Sequence, residues 1–367
     1  MEKRAIIAAV LSIAFFYAYY MLFPSPQKEL PKQAPKQVTT PAPATVASEQ
    51  RVIETKPQPQ PQSGASIAKD VVVDTDLYTA VFSNQGGSLK SFVLKKYRES
   101  NTAGGKQVAL INESNPGLFA LKTGSQGISL SPAVIYSTTV DRLTVKGDQK
   151  RTLDFIYTSA HGYTVKKTYT VHGDGYNIDL NTEIINNDAN TLSGKLELAF
   201  PYQVVDKDKQ SRFEVSGAVT FADNAFKSEK LSDLESKPKL FEKNISLTGF
   251  ADKYFLSAVL SKDKDISEVR TAKGTGNYID STIMSPAFSI APGQEYSVSY
   301  RLFFGPKDLD ILKSQGNNLE KALDLGWFSA IAKPLLFVLK FFYQYTHNYG
   351  VAIIIITVIL KILFFPL

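Results

Sequence analysis

Short β-rich runs separated by turn signals recur from residue 67 to 306 and constrain this chain more than any other feature. The first two runs are DVVVDTDLYTAVFS and SLKSFVLKKY, and the intervening Asn84-Gln85-Gly86-Gly87 favours a turn. RTLDFIYTS, YTVKKTYTV and YNIDLNTEIIN follow, and YSVSYRLFF closes the series. Many short strands with few helical patterns predict one large antiparallel β-sandwich. The stretch KSEKLSDLESKPKLFEKN interrupts the series and is expected to be a helix or an irregular insertion.

Residues suited to catalysis are few in this domain. Large β-sandwiches include sugar epimerases, which need a histidine and a carboxylate as an acid/base pair. The domain has two histidines, His161 and His172, each near a glycine, and both are expected to lie in surface turns. Its carboxylates show no paired spacing, and there is no metal-ligand cluster or phosphate-binding glycine loop. The sequence therefore predicts no catalytic residue, no metal site and no cofactor.

The net charge of +6 is spread through the chain, without a block of five basic residues. This pattern indicates mild attraction to anionic lipid and does not indicate a nucleic-acid partner. The chain has no cysteine, so it can form no disulfide.

The first apolar run, Ala5 to Phe23, carries no charge and follows Lys3 and Arg4. It is long enough to span roughly 30 Å of hydrocarbon. A cleavable signal peptide begins in the same way, but no small-x-small cleavage site follows directly. We expect residues 1–23 to be an uncleaved anchor with its N-terminus in the cytoplasm, because the positive charges precede the run.

The next segment, residues 24–66, contains nine of the eighteen prolines and almost no aromatic residues. Such a composition buries too little surface to offset chain entropy, so a disordered linker is expected. With the N-terminus inside, this linker and the β domain at 67–306 are predicted to lie on the outer side of the membrane.

Short helices are expected over 307–347, one capped by Asn317 or Asn318 and ending at Gly326, and then an amphipathic helix. Its polar face would carry Ser329, Lys333, Lys340, Gln344 and His347, and its apolar face Trp327, Ile331, Leu335, Val338, Phe342 and Tyr345. Aromatic residues opposite a lysine stripe predict a helix lying in the membrane surface, with Trp327, Lys333 and Lys340 at the interface. A core helix packed on the sandwich is the alternative.

The last segment, residues 348–367, contains GVAIIIITVILKILFFPL and is predicted to be a second transmembrane helix. A central lysine costs about 2.5 to 3.5 kcal/mol on insertion, while the apolar side chains supply about 4 to 7 kcal/mol. Thr357 lies one turn before Lys361 and faces the same way. Lys361 could reach lipid head groups, or the stripe could face a water-filled cavity among further helices. The residues alone leave both open.

The order of these parts, with the motif N-Y-G-x-A-I-I-I-I-T-x-x-x-K-x-x-x-x-P-L, resembles the YidC/Oxa/Alb family of membrane protein insertases. The matching residues are Asn348, Tyr349, Gly350, Ile353 to Ile356, Thr357, Lys361, Pro366 and Leu367, with Gly326-Trp327, Pro334-Leu335 and Phe304-Gly305-Pro306 upstream. The resemblance implies a galactose-mutarotase-like sandwich in the periplasm of a multi-pass inner-membrane protein. It also implies a hydrophilic groove with one positive charge, at Lys361 beside Thr357, and no enzyme activity.

Several partners follow from the same resemblance. These are nascent inner-membrane proteins, the Sec translocon with its accessory subunits, and membrane lipids. Ribosomes would be met only through a C-terminal part, because the sequence is expected to be truncated after the second transmembrane helix. The alternative function is a membrane-anchored periplasmic carbohydrate-binding or epimerase-like domain.

Overall fold

The computed structural model describes residues 68–100, 102, 104–112, 119–204, 217–315, 319 and 329–365. The chain divides into two compact units, one of residues 59–324 and the other of residues 1–58 with 325–367. The predicted anchor at 1–23 and the linker at 24–66 lie outside the described residues.

Nineteen strands, all in the larger unit, lie within the described residues. In chain order they are β1 (Asp70–Thr75), β2 (Tyr78–Ser83), β3 (Ser88–Arg98), β4 (Gln107–Ile111), β5 (Lys122–Gln126), β6 (Arg142–Val145), β7 (Lys150–Thr158), β8 (Tyr163–His172), β9 (Asn177–Asn186), β10 (Leu192–Gln203), β11 (Gly217–Ala222), β12 (Ala225–Glu229), β13 (Lys239–Phe241), β14 (Leu247–Ala251), β15 (Phe255–Ser261), β16 (Glu268–Lys273), β17 (Tyr278–Met284), β18 (Phe288–Ile290) and β19 (Glu295–Pro306).

The strands form three sheets. A five-stranded sheet has the order β4-β3-β2-β1-β6, and an eight-stranded sheet has the order β12-β11-β14-β15-β19-β9-β8-β7. The third sheet has the order β13-β16-β17-β10-β18, with β5 also paired to β10. All pairings are antiparallel except that of β1 with β6. The predicted mostly-β, antiparallel fold is thereby confirmed.

Alternation of side chains explains how these sequences become half-buried strands. In β9, Ile178, Leu180 and Ile184 are buried, whereas Asp179 and Glu183 lie on the other, half-exposed face. Successive residues of a strand point to opposite faces, so a period of two separates an apolar core face from a polar face.

One hydrophobic core joins the three sheets. The ring of Phe304, in β19 of the eight-stranded sheet, lies 4.9 Å from the ring of Phe92 in the five-stranded sheet. It also lies 6.2 Å from Phe200, in β10 of the third sheet, in a perpendicular arrangement. Burying large aromatic rings from different sheets against one another is the main source of stability in such a domain.

The helix considered for residues 227–244 is absent, and the irregular alternative is the correct one. This stretch forms the end of β12, a single 3-10 turn at Leu231–Leu234, and β13. Leu231 and Leu234 are buried, so two apolar anchors hold the turn against the core. Pro238 lacks the N–H that a continuing helix would need.

Three α-helices follow the strands in the described part of the chain. They are α1 (Leu309–Gln315), α2 (Ser329–Thr346) and α3 (Tyr349–Phe364). The short helix expected to end at Gly326 lies outside the described residues. No helix in the described ranges is both long enough and apolar enough to cross a membrane. The transmembrane helix over 348–367 therefore stays a prediction, with an α-helix observed over most of it.

Candidate functional site

The turn between α2 and α3 fixes the start of the apolar helix. Asn348 is the N-cap of α3, and its side-chain Oδ1 accepts hydrogen bonds from Gly350 N at 2.8 Å and Val351 N at 3.3 Å. These bonds satisfy N–H groups that have no partner inside the helix. His347, with a φ of 48°, ends α2 by leaving the helical conformation. Asn348 thus has a capping role as part of the N-Y-G motif.

Side chains from both helices pack around this turn. The rings of Tyr343 and Tyr349 stack at 3.9 Å with an interplanar angle of 9°. Thr346 Oγ1 donates to the carbonyl of Phe342 at 3.0 Å, and Ala352 is fully buried. The two helices therefore form a defined helical hairpin.

Thr357 and Lys361 lie on the exposed side of α3. The hydroxyl of Thr357 donates to the carbonyl of Ile353 at 2.8 Å, so it is satisfied within its own helix. Large apolar neighbours on the same side are also exposed, with Ile354 at 64% and Val358 at 51%. The structure thus places the two predicted site residues one turn apart on an apolar helix face that needs a cover of lipid or of other helices.

Helix α2 carries its most exposed large side chains as an aromatic stripe. Phe337, Phe341 and Tyr345 are exposed, and the rings of Phe341 and Tyr345 meet at 5.1 Å. Pro334 lies inside the helix without ending it. Lys340 is half-buried, Lys333 lies in the helix, and Trp327 lies outside the described residues. The placement of α2 in the membrane surface stays a prediction.

A fully buried lysine inside the β domain was missed at the sequence level. Lys167 Nζ donates to the carbonyls of Gly86 at 3.0 Å, Gly87 at 2.7 Å and Leu121 at 2.6 Å. Burial lowers the pKa of Lys167 well below its usual value. The three carbonyl acceptors match the three donors of an ammonium group. By the alternation of side chains along β8, position 167 lies on the core face of the strand. This alternation is the only signal in the sequence that Lys167 is buried.

The Gly86–Gly87 turn is shaped around this lysine. Gly87 has a φ of 51°, and a Cβ there would lie 3.1 Å from Lys167 Cδ and 3.3 Å from Phe155 Cβ. Tyr169 OH also donates to the Gly87 carbonyl, at 2.6 Å. The three hydrogen bonds of Lys167 Nζ all go to backbone carbonyls of its own domain, so its observed role is structural.

His172 is not in a surface turn, which corrects the expectation made for it. It is the last residue of β8, and its Nε2 lies 2.9 Å from Asp179 Oδ2 with only 12% of the side chain exposed. Asp179 also contacts Arg301 Nε at 3.1 Å and Lys262 Nζ at 3.2 Å. His161, by contrast, is exposed in a turn as expected.

This cluster is an ion-pair network. Partial burial raises the pKa of Asp179, but hydrogen bonds from His172, Lys262 and Arg301 outweigh that effect and lower the pKa. A carboxylate held by three donors is a poor general base. No group of three metal-ligating side chains occurs within the described residues.

The described residues form a large antiparallel β domain and, after it in the chain, a helical hairpin that exposes large apolar side chains. The profile of the family described as the YidC periplasmic domain matches residues 70–338. The membrane protein insertase YidC of Geotalea uraniireducens is 48% identical over the whole chain, which covers 69% of that relative. The insertases of Geobacter metallireducens and Syntrophus aciditrophicus are 46% and 34% identical, with 69% and 70% of their lengths covered.

The chain belongs to the YidC family of membrane protein insertases. The predicted insertase function and the predicted non-enzymatic character are confirmed by this membership. Membership also implies an inner-membrane protein with a periplasmic domain and membrane proteins as its substrates.

Among solved structures, a galactose mutarotase related enzyme from Lactobacillus acidophilus covers 64% of this chain, with 97% of its own length matched. A galactose mutarotase-like protein from Lactobacillus casei covers 64% of this chain and is matched over 100% of its own. Both have a TM-score of 0.48 and 9% sequence identity. Such weak overlaps assign no activity to the chain.

Proposed function

We propose that this chain inserts membrane proteins through a hydrophilic groove in which Lys361 supplies the positive charge and Thr357 a polar neighbour. The observation that carries the proposal is the exposure of both side chains on one face of α3, in a chain of the insertase family. The neighbouring Ile354 and Val358 are too apolar to remain in water, so that face needs either lipid or further helices beside it.

A charge in such a groove lowers the cost of moving a polar segment across the membrane. A polar or charged group in hydrocarbon costs several kcal/mol, and a wet groove shortens the hydrocarbon path. The ammonium of Lys361 would attract the acidic or carbonyl-rich part of a client, whose apolar helix then leaves into lipid. No covalent bond forms or breaks in this process.

The N-terminal segment and helices α2 and α3 hold the protein in the membrane in the same proposal. Residues 1–23 anchor the N-terminus, α2 lies in the membrane surface with Trp327, Lys333 and Lys340, and α3 begins a multi-pass core. The aromatic stripe of α2 supports its interfacial role, because aromatic side chains favour the membrane–water boundary. The Sec translocon and its accessory subunits would bind the assembly, and ribosomes would meet a C-terminal part of the full protein.

The proposal is tested with variants of Lys361 in cells depleted of the native protein, with insertion of a single-span client read by protease accessibility. Lys361→Arg keeps the charge and should support insertion, while Lys361→Ala should reduce it and Lys361→Glu should reduce it further. Lys313→Ala, which removes an exposed lysine of α1, is the matched control. Equal insertion by the Arg, Ala and Glu variants would show that no groove charge is needed.

A further inference from the structure

The loop between β14 and β15 presents an unusually exposed tyrosine. Tyr254 is 63% exposed, and Leu240, at 52%, is the only other large apolar side chain of the described β domain exposed to a comparable degree. Leu240 lies in β13, which belongs to a different sheet. Tyr254 and Leu240 are therefore two separate exposed apolar side chains.

This loop is held rigidly by hydrogen bonds. Asp252 Oδ1 accepts from Tyr254 N at 2.7 Å and Phe255 N at 2.6 Å. Lys307 N donates to the Tyr254 carbonyl at 2.7 Å, and Lys307 Nζ donates to the Asp252 carbonyl at 3.0 Å. A side chain displayed by a pre-ordered turn loses less conformational entropy when it binds.

Positive charge accompanies the exposed ring. Lys253 Nζ lies 5.2 Å from the centroid of the Tyr254 ring. The ring of Phe255 meets that of Tyr97 edge-on at 5.4 Å, which brings the β3–β4 hairpin beside this loop. That hairpin carries the exposed Lys96, Arg98 and Lys106 and one exposed carboxylate, Glu99.

Two of the nearby carboxylates, Asp252 and Asp308, accept hydrogen bonds from backbone N–H groups. Asp252 accepts the two N–H groups of its own turn, and Asp308 Oδ1 accepts from Asp310 N at 2.9 Å and Ile311 N at 3.1 Å. The loop and the hairpin beside it therefore present more cationic than anionic side chains.

The chain leaves the sheets beside this loop. Lys307 follows the end of β19, is bonded to the loop by both its backbone and its side chain, and leads into α1. Further along, the same chain forms α2 and α3, which the proposed function assigns to the membrane surface and interior. An exposed aromatic ring with lysines, at the place where the chain leaves the sheets, is typical of a surface that contacts a bilayer. There tyrosine rings lie among the head groups and lysines bind anionic lipid.

We propose that the Lys253–Tyr254 loop is a lipid-contact site that docks the β domain on the anionic head groups of the membrane surface. This inference rests on the membrane-bound state in the proposed function, but it does not depend on the groove. Tyr254 enters the head-group region while Lys253 and the cations of the β3–β4 hairpin face lipid phosphates. Salt would weaken the contact, because screening shortens the reach of exposed charges.

Tryptophan fluorescence of the reconstituted 367-residue chain tests the site, with Trp327 changed to Phe so that one introduced tryptophan reports. Tyr254→Trp is compared with Leu240→Trp as the matched exposed control. In nanodiscs of brominated phosphatidylcholine mixed with phosphatidylglycerol, we expect quenching of the tryptophan at 254 about twofold or more above that at 240. Adding Lys253→Glu should reduce the quenching at 254 by about half at low salt.

Each other outcome would overturn the inference. Equal quenching at the two positions would show that the loop does not contact lipid. Unchanged quenching on Lys253→Glu would show that charge does not contribute to the contact. Shielding of position 254 from aqueous acrylamide without quenching by brominated lipid would assign the loop to a protein partner or a second copy of the chain. The Lys361 insertion assay reads the groove separately, so normal charge-dependent insertion alongside any of these results would leave the proposed function standing.

Discussion

Lys167 Nζ donates a 2.6 Å hydrogen bond to the carbonyl of Leu121, whose φ of 64° places it in the left-handed region. The same ammonium holds the carbonyls of the Gly86–Gly87 turn. One side chain from the eight-stranded sheet thus fixes the turn between β2 and β3 and the residue before β5. Because these segments belong to the other two sheets, Lys167 ties all three sheets together.

Lys167→Met should destabilise the β domain strongly. The substitution removes the donor of the buried Gly86 and Leu121 carbonyls, while Tyr169 OH still donates to that of Gly87. The expected cost is about 3 to 5 kcal/mol. Urea unfolding of the detergent-solubilised chain, followed by circular dichroism, measures the change. Lys166→Met is the control, because Lys166 lies at a half-exposed site with a 3.8 Å ion pair to Asp154 and should cost less than about 1 kcal/mol. Equal losses of unfolding free energy for the two variants would show that the hydrogen bonds of Lys167 do not stabilise the domain.

Loss of the hydroxyl should affect the stability of the domain differently at two buried tyrosines. Tyr78 OH is buried without a hydrogen-bond partner among the described residues, and burial raises the pKa of Tyr78. Tyr169 OH donates to the carbonyl of Gly87 at 2.6 Å. Tyr78→Phe should be neutral or stabilise by about 1 kcal/mol, whereas Tyr169→Phe should destabilise by about 1 to 2 kcal/mol.

Urea unfolding at neutral pH compares the two phenylalanine variants directly. A loss at Tyr78 as large as that at Tyr169 would mean that its hydroxyl has a partner after all.

The Asp179 network predicts a loss of stability in acid. Since hydrogen bonds from His172, Lys262 and Arg301 lower the pKa of Asp179 in the folded state despite its partial burial, its contribution is fully present above the unfolded pKa of about 3.9. It is lost as pH falls through the lower folded pKa. Asp179→Asn should cost about 1 to 3 kcal/mol at pH 6 and markedly less in strong acid.

Unfolding free energies measured from pH 6 downward test this linkage. A cost for Asp179→Asn that does not shrink as the pH falls below the unfolded pKa would contradict it.

Asn348→Ala should loosen the first turn of α3. The change removes the acceptor for Gly350 N and Val351 N, at a cost of about 1 kcal/mol. Hydrogen–deuterium exchange of these amides in detergent should accelerate about fivefold. Asn348→Asp keeps the acceptor and places a negative charge at the helix N-terminus, so it should preserve protection. Rapid exchange in both variants would mean that the cap is not what orders the turn.

Local patterns in the sequence were sufficient for most of the fold. The β-rich runs in β8 and β9 and the turn signal at Gly86–Gly87 all correspond to observed elements. The local pattern of the stretch 227–244 allowed a helix or an irregular insertion. Burial of Leu231 and Leu234 in a single 3-10 turn decides for the irregular insertion. Spacing predicted that Thr357 and Lys361 share one face of a helix, since residues four apart lie on the same side, and their groove role stays a prediction.

Residue spacing by itself determined the succession of strands, the apolar end segments and the polar pair on the last helix, because periods of 2 and 3.6 residues are local properties. Tertiary structure alone decided that Lys167 reaches Leu121, 46 positions away, and that Asp179 meets Arg301, 122 positions away. It likewise decided that Tyr254 remains exposed beside Lys253. Such contacts depend on how sheets stack and pair, which no local pattern encodes.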